Sequence, residues 1–317
     1  MTRPRTTLLE ALAVATAGVI GSALILTASA RIGGTFDELF YLDAGLEHWR
    51  TGSNFRLLAA GTMPLPVDVV TLPVHVCERL CGEPWAIHKE FLALLKIARL
   101  PTLAFWWLLI LFGWRIARDA GGPMVGWIAA VFLCLEPNLL AHAGLATTDV
   151  AFTACLLLFA HLYARGRGQS WFRRIILPSL ACGLAFSAKA SAMLFVPIVV
   201  TAIECAPILE RSPPWHDTPI HRGIADIMRQ RSFWRDACCV YLLGVGLAYV
   251  YCGSDWRAHP KIIAAASNLP PGRCRDLCLW LAENLRIFNN AGVAFWYQIQ
   301  HNLRGHGSYI LGLSLIH

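Results

Sequence analysis

The sequence predicts an all-α, polytopic membrane protein, and three observations carry that prediction. The 317 residues are 56% hydrophobic and only 15% charged, with 12 Trp and a mean hydropathy of +0.51, whereas soluble domains carry about 25% charged residues. Apolar runs of near-spanning length recur along the chain, and the basic residues gather in alternate connections between them. The same composition excludes a disordered chain, a coiled coil and a soluble cytosolic α/β enzyme. A net charge of +7, from 27 Lys and Arg against 20 Asp and Glu, is what topology alone produces in a membrane protein, so no nucleic-acid partner is expected.

Crossing about 30 Å of hydrocarbon at 1.5 Å per residue takes about 20 apolar residues. Seven candidates follow, at about 8–27, 90–114, 123–142, 149–164, 175–188, 192–207 and 237–253. The first follows Arg3 and Arg5 and precedes Ala28-Ser29-Ala30 in the manner of a signal peptide. Its apolar run exceeds the usual core of about 7–15 residues, so it is expected to be retained as a helix. The fourth to sixth are short and need their flanks or neighbours to complete a span.

Placing the N-terminus inside puts Arg3, Arg5, Arg115, Arg118, Arg165, Arg167, Arg173, Arg174, Arg211, Arg222, Arg229, Arg231 and Arg235 on one side. Residues 28–89 and 254–317 then lie outside. The chain divides accordingly into a transmembrane module, 1–253, and an outer segment, 254–317. The first outer loop is rich in acids, namely Asp37, Glu38, Asp43, Glu47, Asp68, Glu78 and Glu83. Within it, residues 36–49 pattern as an amphipathic interfacial helix. Residues 63–76 are apolar, too short to span and interrupted by Pro64, Pro66 and Pro73, which predicts a re-entrant or interfacial segment.

Of eleven Cys, seven (Cys134, Cys155, Cys182, Cys205, Cys238, Cys239 and Cys252) sit in apolar runs and behave as small hydrophobes. Cys77, Cys81, Cys274 and Cys278 form two Cys-x-x-x-Cys pairs on the outer side, where disulfides are chemically open to them. His75, Cys77, Cys81 and His88 lack zinc-site spacing. Neither a phosphate-cradling glycine loop nor a serine nucleophile elbow is present, so ATP-driven transport and hydrolase chemistry have no support.

Asp37 and Glu38 follow the first helix beside Phe36, Phe40 and Tyr41. A carboxylate near water but flanked by apolar groups suits a general base, and the same pair also suits a helix start. Asp149, after Ala146-Thr147-Thr148, either caps the next helix or brings a second carboxylate to the same outer cleft, an arrangement glycosyl-transfer sites use by analogy with hydrolases. Lys96, Arg99 and Lys189 are cations in or beside apolar segments, costing about 2.5–3.5 kcal/mol each at the bilayer centre. They either snorkel or pair with an acid such as Glu136, or they bind an anionic phosphate, for which Arg99 offers bidentate contact. His142 ends the third helix at the outer surface, where a lone His is more often structural.

Several of these segments together resemble one family. Phe36-Asp37-Glu38-Leu39-Phe40-Tyr41 after the first helix is similar to the acidic motif of the GT-C superfamily, closest to the polyprenyl-phosphate-mannose protein mannosyltransferases and their bacterial relatives in glycosyltransferase family 39. Ala98-Arg99-Leu100-Pro101, the run from Glu136-Pro137-Asn138 through His142 to Thr147-Thr148-Asp149, and Gly183-Leu184-Ala185-Phe186-Ser187-Ala188-Lys189 fit the same pattern, in order, over roughly residues 30–200. The resemblance implies a GT-C-type bundle in a bacterial inner membrane that transfers sugar, with inversion, from a polyprenyl-phosphate donor to a protein, lipid or glycan acceptor on the periplasmic face. It implies Asp37 as the catalytic carboxylate with Glu38 beside it, Asp149 as the second acid, and Arg99, Lys189 and Lys96 as candidates for the donor phosphate. His142 and Tyr41 are further site candidates. No cofactor is implied beyond a divalent metal, which some relatives use.

Two departures stand out. The family often carries a His-Pro-Pro-Leu-like segment where this chain has Met63-Pro64-Leu65-Pro66, without the His, and members usually continue into further spans beyond the point corresponding to His317. The second departure implies a C-terminally truncated member. The alternatives are a truncated, inactive paralogue and a polytopic transporter whose pathway is lined by Lys96, Arg99, Lys189 and Glu136.

Overall fold

The computed structural model describes residues 8–211, 231–286, 289–304, 307–310 and 313–316, with side chains over 8–206, 233–286 and 290–300. Arg3, Arg5, Arg222 and Arg229, assigned above to the inner side, lie outside the described residues, as do the side chains of Arg211 and Arg231. Apart from an antiparallel pair, β1 (Gly307–Ile310) with β2 (Leu313–Ile316), every described element is helical.

Helix α1 (Leu8–Ser29) is apolar all round and about 33 Å long at 1.5 Å per residue. It lies on α6 (Thr102–Leu135) because Gly18 and Gly21 clear space for two indoles. A Cβ at Gly18 would fall 2.4 Å from Trp107, and one at Gly21 would fall 2.8 Å from Trp106. Residues 36–81, expected as part of the first outer loop, are helical: α2 (Phe36–Thr51), α3 (Phe55–Ala59) and α4 (Pro64–Cys81). A helix does cover the expected 36–49, packed on α4 and on residues 87–98 through Leu42 and Leu46, whereas residues 64–76 lie in one continuous helix and are not broken up by their prolines. The physical reason is position: Pro64 and Pro66 stand in the first turn, where a missing N–H costs nothing. Only Pro73 is internal, and the helix runs on past it.

The predicted helix 90–114 divides at Pro101, which has no N–H to continue the ladder, into α5 (Ile87–Ala98) and the start of α6. Helix α6 then doubles back at Gly122, whose φ of 85° favours glycine. A Cβ at Gly113 would lie 2.4 Å from Leu133, residues that one straight helix would hold about 30 Å apart. The helix predicted at 123–142 is interrupted once more, at Glu136-Pro137, before α7 (Pro137–Ala143). Next come α8 (Asp149–Gly166), a π-turn (Phe172–Ile176) leading into α9 (Leu177–Ala188), α10 (Ala192–Arg211) and α11 (Arg231–Cys252). Residues 254–304 supply α12 (Pro260–Ser267), α13 (Arg273–Asn284) and α14 (Asn289–Arg304).

By length and composition, three segments among the described residues can cross a membrane: Leu8–Ser29, the doubled-back Ile87–Leu135, and Phe233–Cys252. One core lies among α8, α9, α10 and α11 around Phe159, Tyr163 and Phe186, a second among α1, α6 and α8 around Trp106 and Trp114, and a third joins α2, α4 and α5 through Leu42, Leu46, Val74 and Leu94. Charge collects at the two ends of this bundle. At one end Glu10 meets Arg118 at 2.6 Å, Asp119 meets Arg165, and Asp236 gathers Arg167 and Arg174 at 3.3 and 3.2 Å. The opposite end of α8 carries Asp149.

Candidate functional site

The site is assembled from the first turn of α2. Thr35 caps the helix, and Glu38, three residues on, reaches back to accept from the Thr35 N–H at 2.9 Å. Successive helical residues point about 100° apart, so Glu38 turns inward and is 1% exposed while Asp37 remains exposed.

Glu38 accepts from Arg99 Nε and Nη2, both at 2.7 Å, and from the Ala146 N–H at 2.8 Å. The remaining Arg99 N–H groups donate to the carbonyls of Ser29 at 2.9 Å, Ile32 at 3.0 Å and Gly33 at 2.8 Å. All five guanidinium donors are thereby used inside the protein. Two expectations are corrected by this geometry. Arg99 has no donor left for a phosphate, and Glu38 has no free lone pair or solvent path with which to take a proton. Burial pushes the Glu38 carboxyl up, but the Arg99 hydrogen bonds with the Thr35 and Ala146 N–H groups outweigh it and hold the group below its ordinary value. The pair joins the end of α1, the start of α2, the end of α5 and the loop before α8.

Around this buried joint the structure brings together Asp37, Tyr41, His142, Asp149 and Lys189. Tyr41 stands one turn after Asp37, near Thr62 and Thr148. Burial raises its phenol pKa, and the charges of both Asp37 and Asp149 push the same way, so two carboxylates from separate segments act on one phenol. Asp149 is the first residue of α8 after Thr148. Its Oδ1 accepts from Lys189 Nζ at 2.6 Å. Lys189 itself ends α9 in an extended conformation, φ −159° and ψ 136°, which swings its amine out of the apolar helix towards α8. His142 Nδ1 is 3.6 Å from Asp149 Oδ2, too far for a hydrogen bond.

Lys96 is exposed on α5. Glu136, expected as an intramembrane partner for the cations, instead caps α7, accepting from the Leu139 N–H at 2.6 Å and from Asn138 at 2.9 Å.

The two ion pairs differ in kind. Glu38–Arg99 is sealed, whereas the Asp149 and Lys189 side chains are 43% and 37% exposed and contribute at most about 1 kcal/mol to stability. An amine held so weakly can change partner when an anion arrives. No group of three or more His, Cys, Asp or Glu side chains is placed to hold a metal among the described residues.

A second polar network, which no sequence motif marks, lies between α2, α4 and α11. Asp68 of α4, 4% exposed, accepts from Tyr251 of α11 at 2.7 Å and pairs with His48 Nδ1 at 2.7 Å. Arg50 and the Trp85 N–H share Glu78. One signal was available: His48 lies eleven residues after Asp37, on the same face of α2. Tyr251 gave none, because a phenol in an apolar helix reads as packing. The scan against family models found no match, and neither the curated proteins nor the solved structures contain a match to this chain.

Proposed function

We propose that this chain is a multi-pass membrane glycosyltransferase of GT-C type, taking a sugar from a polyprenyl-phosphate donor and passing it with inversion to an acceptor hydroxyl on the outer face. The observation that carries the proposal is the convergence of Asp37 and Asp149 on Tyr41, with Lys189 beside Asp149, at the end of the bundle opposite the cluster of basic residues. In this scheme the acceptor oxygen attacks the anomeric carbon as the bond to the phosphate oxygen breaks, and the electron pair leaves with the polyprenyl phosphate. Asp37, exposed on a helix fixed by its buried neighbour, takes the acceptor proton. Lys189 exchanges Asp149 for the leaving phosphate, whose developing charge is the main thing to be stabilised. Asp149 holds the amine in place beforehand. The charges that a transport pathway would need point elsewhere, since Arg99 is consumed by Glu38, and Glu136 caps α7.

The test is transfer of labelled sugar from a polyprenyl-phosphate donor in membranes carrying the protein. Asp37→Asn should lower the rate at least about 100-fold, the usual scale for loss of a general base, with an unchanged unfolding transition because Asp37 is exposed. Undiminished transfer in that variant refutes the catalytic assignment.

A further inference from the structure

At the end of the bundle opposite Asp149, a mostly apolar groove of about 680 Å³ lies between α10 and α11, within the range of about 300–1,000 Å³ typical of small-molecule sites. Val200 and Glu204 of α10 line it with Ala237 and Tyr241 of α11. Its α11 wall runs from Phe233 to Leu242, about 14 Å along the helix at 1.5 Å per residue, in a segment long and apolar enough to cross a membrane. Glu204 ties the groove to the charge gathered at this end. It accepts from Tyr163 at 2.9 Å and pairs with Arg167 Nε at 2.8 Å, and Arg167 in turn reaches Asp236 at 3.3 Å. Asp236 also meets Arg174 and Arg235, each at 3.2 Å. Gly166 brings the π-turn close, since a Cβ there would fall 2.4 Å from the Arg173 carbonyl oxygen. Arg173 and Arg174 are thereby set beside Arg165 and Arg167.

The charges in this group do not balance. Asp119 matches Arg165 and Glu204 matches Arg167, which leaves Asp236 alone, among the described residues, to face Arg173, Arg174 and Arg235. The excess cations are open to a ligand. Arg235 has a side chain 63% exposed, so its contact with the neighbouring Asp236 contributes at most about 1 kcal/mol. Arg173 is exposed and has no ion pair among the described residues, and Arg174 Nε faces Asp236 without the alignment of a hydrogen bond. Cys238 and Leu242 of the groove wall follow Arg235 by three and seven residues, on one face of α11, so this guanidinium stands at the charged end of the groove. Trp171, Phe172 and Trp234 are exposed beside the arginines, as aromatic side chains are at a membrane surface. A phosphate with an acyl chain beneath it complements this arrangement, and basic pockets between membrane helices take such head groups. A zwitterionic head group brings a cation of its own into the excess positive charge, whereas an anionic one does not. We infer that the groove binds an anionic glycerophospholipid of the surrounding bilayer, its phosphate meeting Arg235 in the field of Arg173 and Arg174 and one acyl chain lying between α10 and α11. The inference stands independently of the proposed sugar transfer.

The test uses the full chain in phosphatidylcholine nanodiscs carrying a trace of either diazirine-acyl phosphatidylglycerol or diazirine-acyl phosphatidylcholine with the same acyl chains. Photolabelled peptides are mapped by mass spectrometry, and labelling of residues 196–205 and 233–242 is taken relative to the exposed face of α1. A basic residue at a membrane surface contributes about 1 kcal/mol towards an anionic lipid, or about fivefold, so two unmatched guanidiniums should favour phosphatidylglycerol in the groove by about 30-fold. Arg235→Gln and Arg173→Gln should each reduce that preference about fivefold, and raising the ionic strength should reduce it in the wild type. Ala237→Phe, which fills the groove between Phe233 and Tyr241, should remove the excess labelling over α1. Groove labelling no stronger than on α1, equal labelling by the two probes, or a preference unchanged in both arginine variants would each overturn the inference. So would a label cleared by added polyprenyl phosphate but not by added phosphatidylglycerol. Should Ala237→Phe not fold, as judged by its unfolding transition, the two exposed arginine variants decide the question.

Discussion

Replacing Arg99 with Leu is the sharpest test of how the joint around Glu38 is held together. The substitution removes five hydrogen bonds at once, two to Glu38 and three to the carbonyls of Ser29, Ile32 and Gly33. It leaves a carboxylate that is 1% exposed with only the Thr35 and Ala146 donors. Breaking one side of a buried pair costs about 3–5 kcal/mol, whereas replacing both partners by apolar groups of similar volume is often close to neutral. Arg99→Leu should therefore lose about 3–5 kcal/mol in denaturant unfolding in mild detergent, followed by Trp fluorescence, and Arg99→Leu with Glu38→Leu should recover part of the loss.

The pH dependence provides a second readout of the same joint. In the wild type the Glu38 carboxyl is held below its ordinary 4.5, so its contribution is complete above that pH and is lost as pH falls towards the lowered value. Without Arg99 the burial that raises the carboxyl pKa dominates, the folded state binds the proton more tightly than the unfolded one, and stability should rise on acidification. A loss below about 1 kcal/mol, the figure for an exposed pair, or an unchanged pH slope in the single variant, refutes the joint as described.

Two further predictions concern the open pair and the helix contact beneath it. Lys189→Met should lower kcat/KM about 10–150-fold, the equivalent of one charge-assisted hydrogen bond of about 1.5–3 kcal/mol, while shifting stability by less than about 1 kcal/mol because its bridge to Asp149 is half-exposed; steady-state transfer assays and unfolding curves on the same preparation separate the two effects. Gly45→Leu should destabilise by about 1–3 kcal/mol through overpacking, since a Cβ at Gly45 would already fall 2.7 Å from Thr71 on α4, and thermal unfolding measures the loss directly.

How much of this was legible in the sequence depends on whether the signal was local. The start of α2 was readable, because Thr35-x-x-Glu38 is a capping-box spacing, and that spacing already separates the two adjacent acids: the residue three after the cap turns back, and the one before it does not. The turn at Gly122-Pro123 was likewise local, and the predicted break between helices 90–114 and 123–142 falls there. What was not readable was pairing across the fold. Nothing near Arg99 shows that residue 38 faces it sixty-one positions away, and a cation in an apolar run admits a phosphate as readily as a carboxylate. The prolines misled in the opposite direction, because their count suggests a broken segment whereas their position at the start of α4 permits a helix.

Under the proposed transfer, the contrast between Asp37 and Glu38 accounts for how a base is held in position at the start of α2. A base that works by position has to be held closely, since misplacement of about 1 Å can cost about 100-fold, and loops hold position poorly. Here the residue next to the candidate base is the anchor. Glu38 is bonded to the Ala146 N–H, three residues before Asp149, and to Arg99 at the end of α5, so the buried pair sets the distance between the two exposed carboxylates without occupying the cleft between them. In the proposed transfer Arg99 takes no part in holding a donor phosphate, because a guanidinium with all its donors engaged cannot follow a leaving group. In that proposal the task falls to a cation whose present partner is weakly held, and of the three predicted cations Lys189 is the one paired in an exposed bridge.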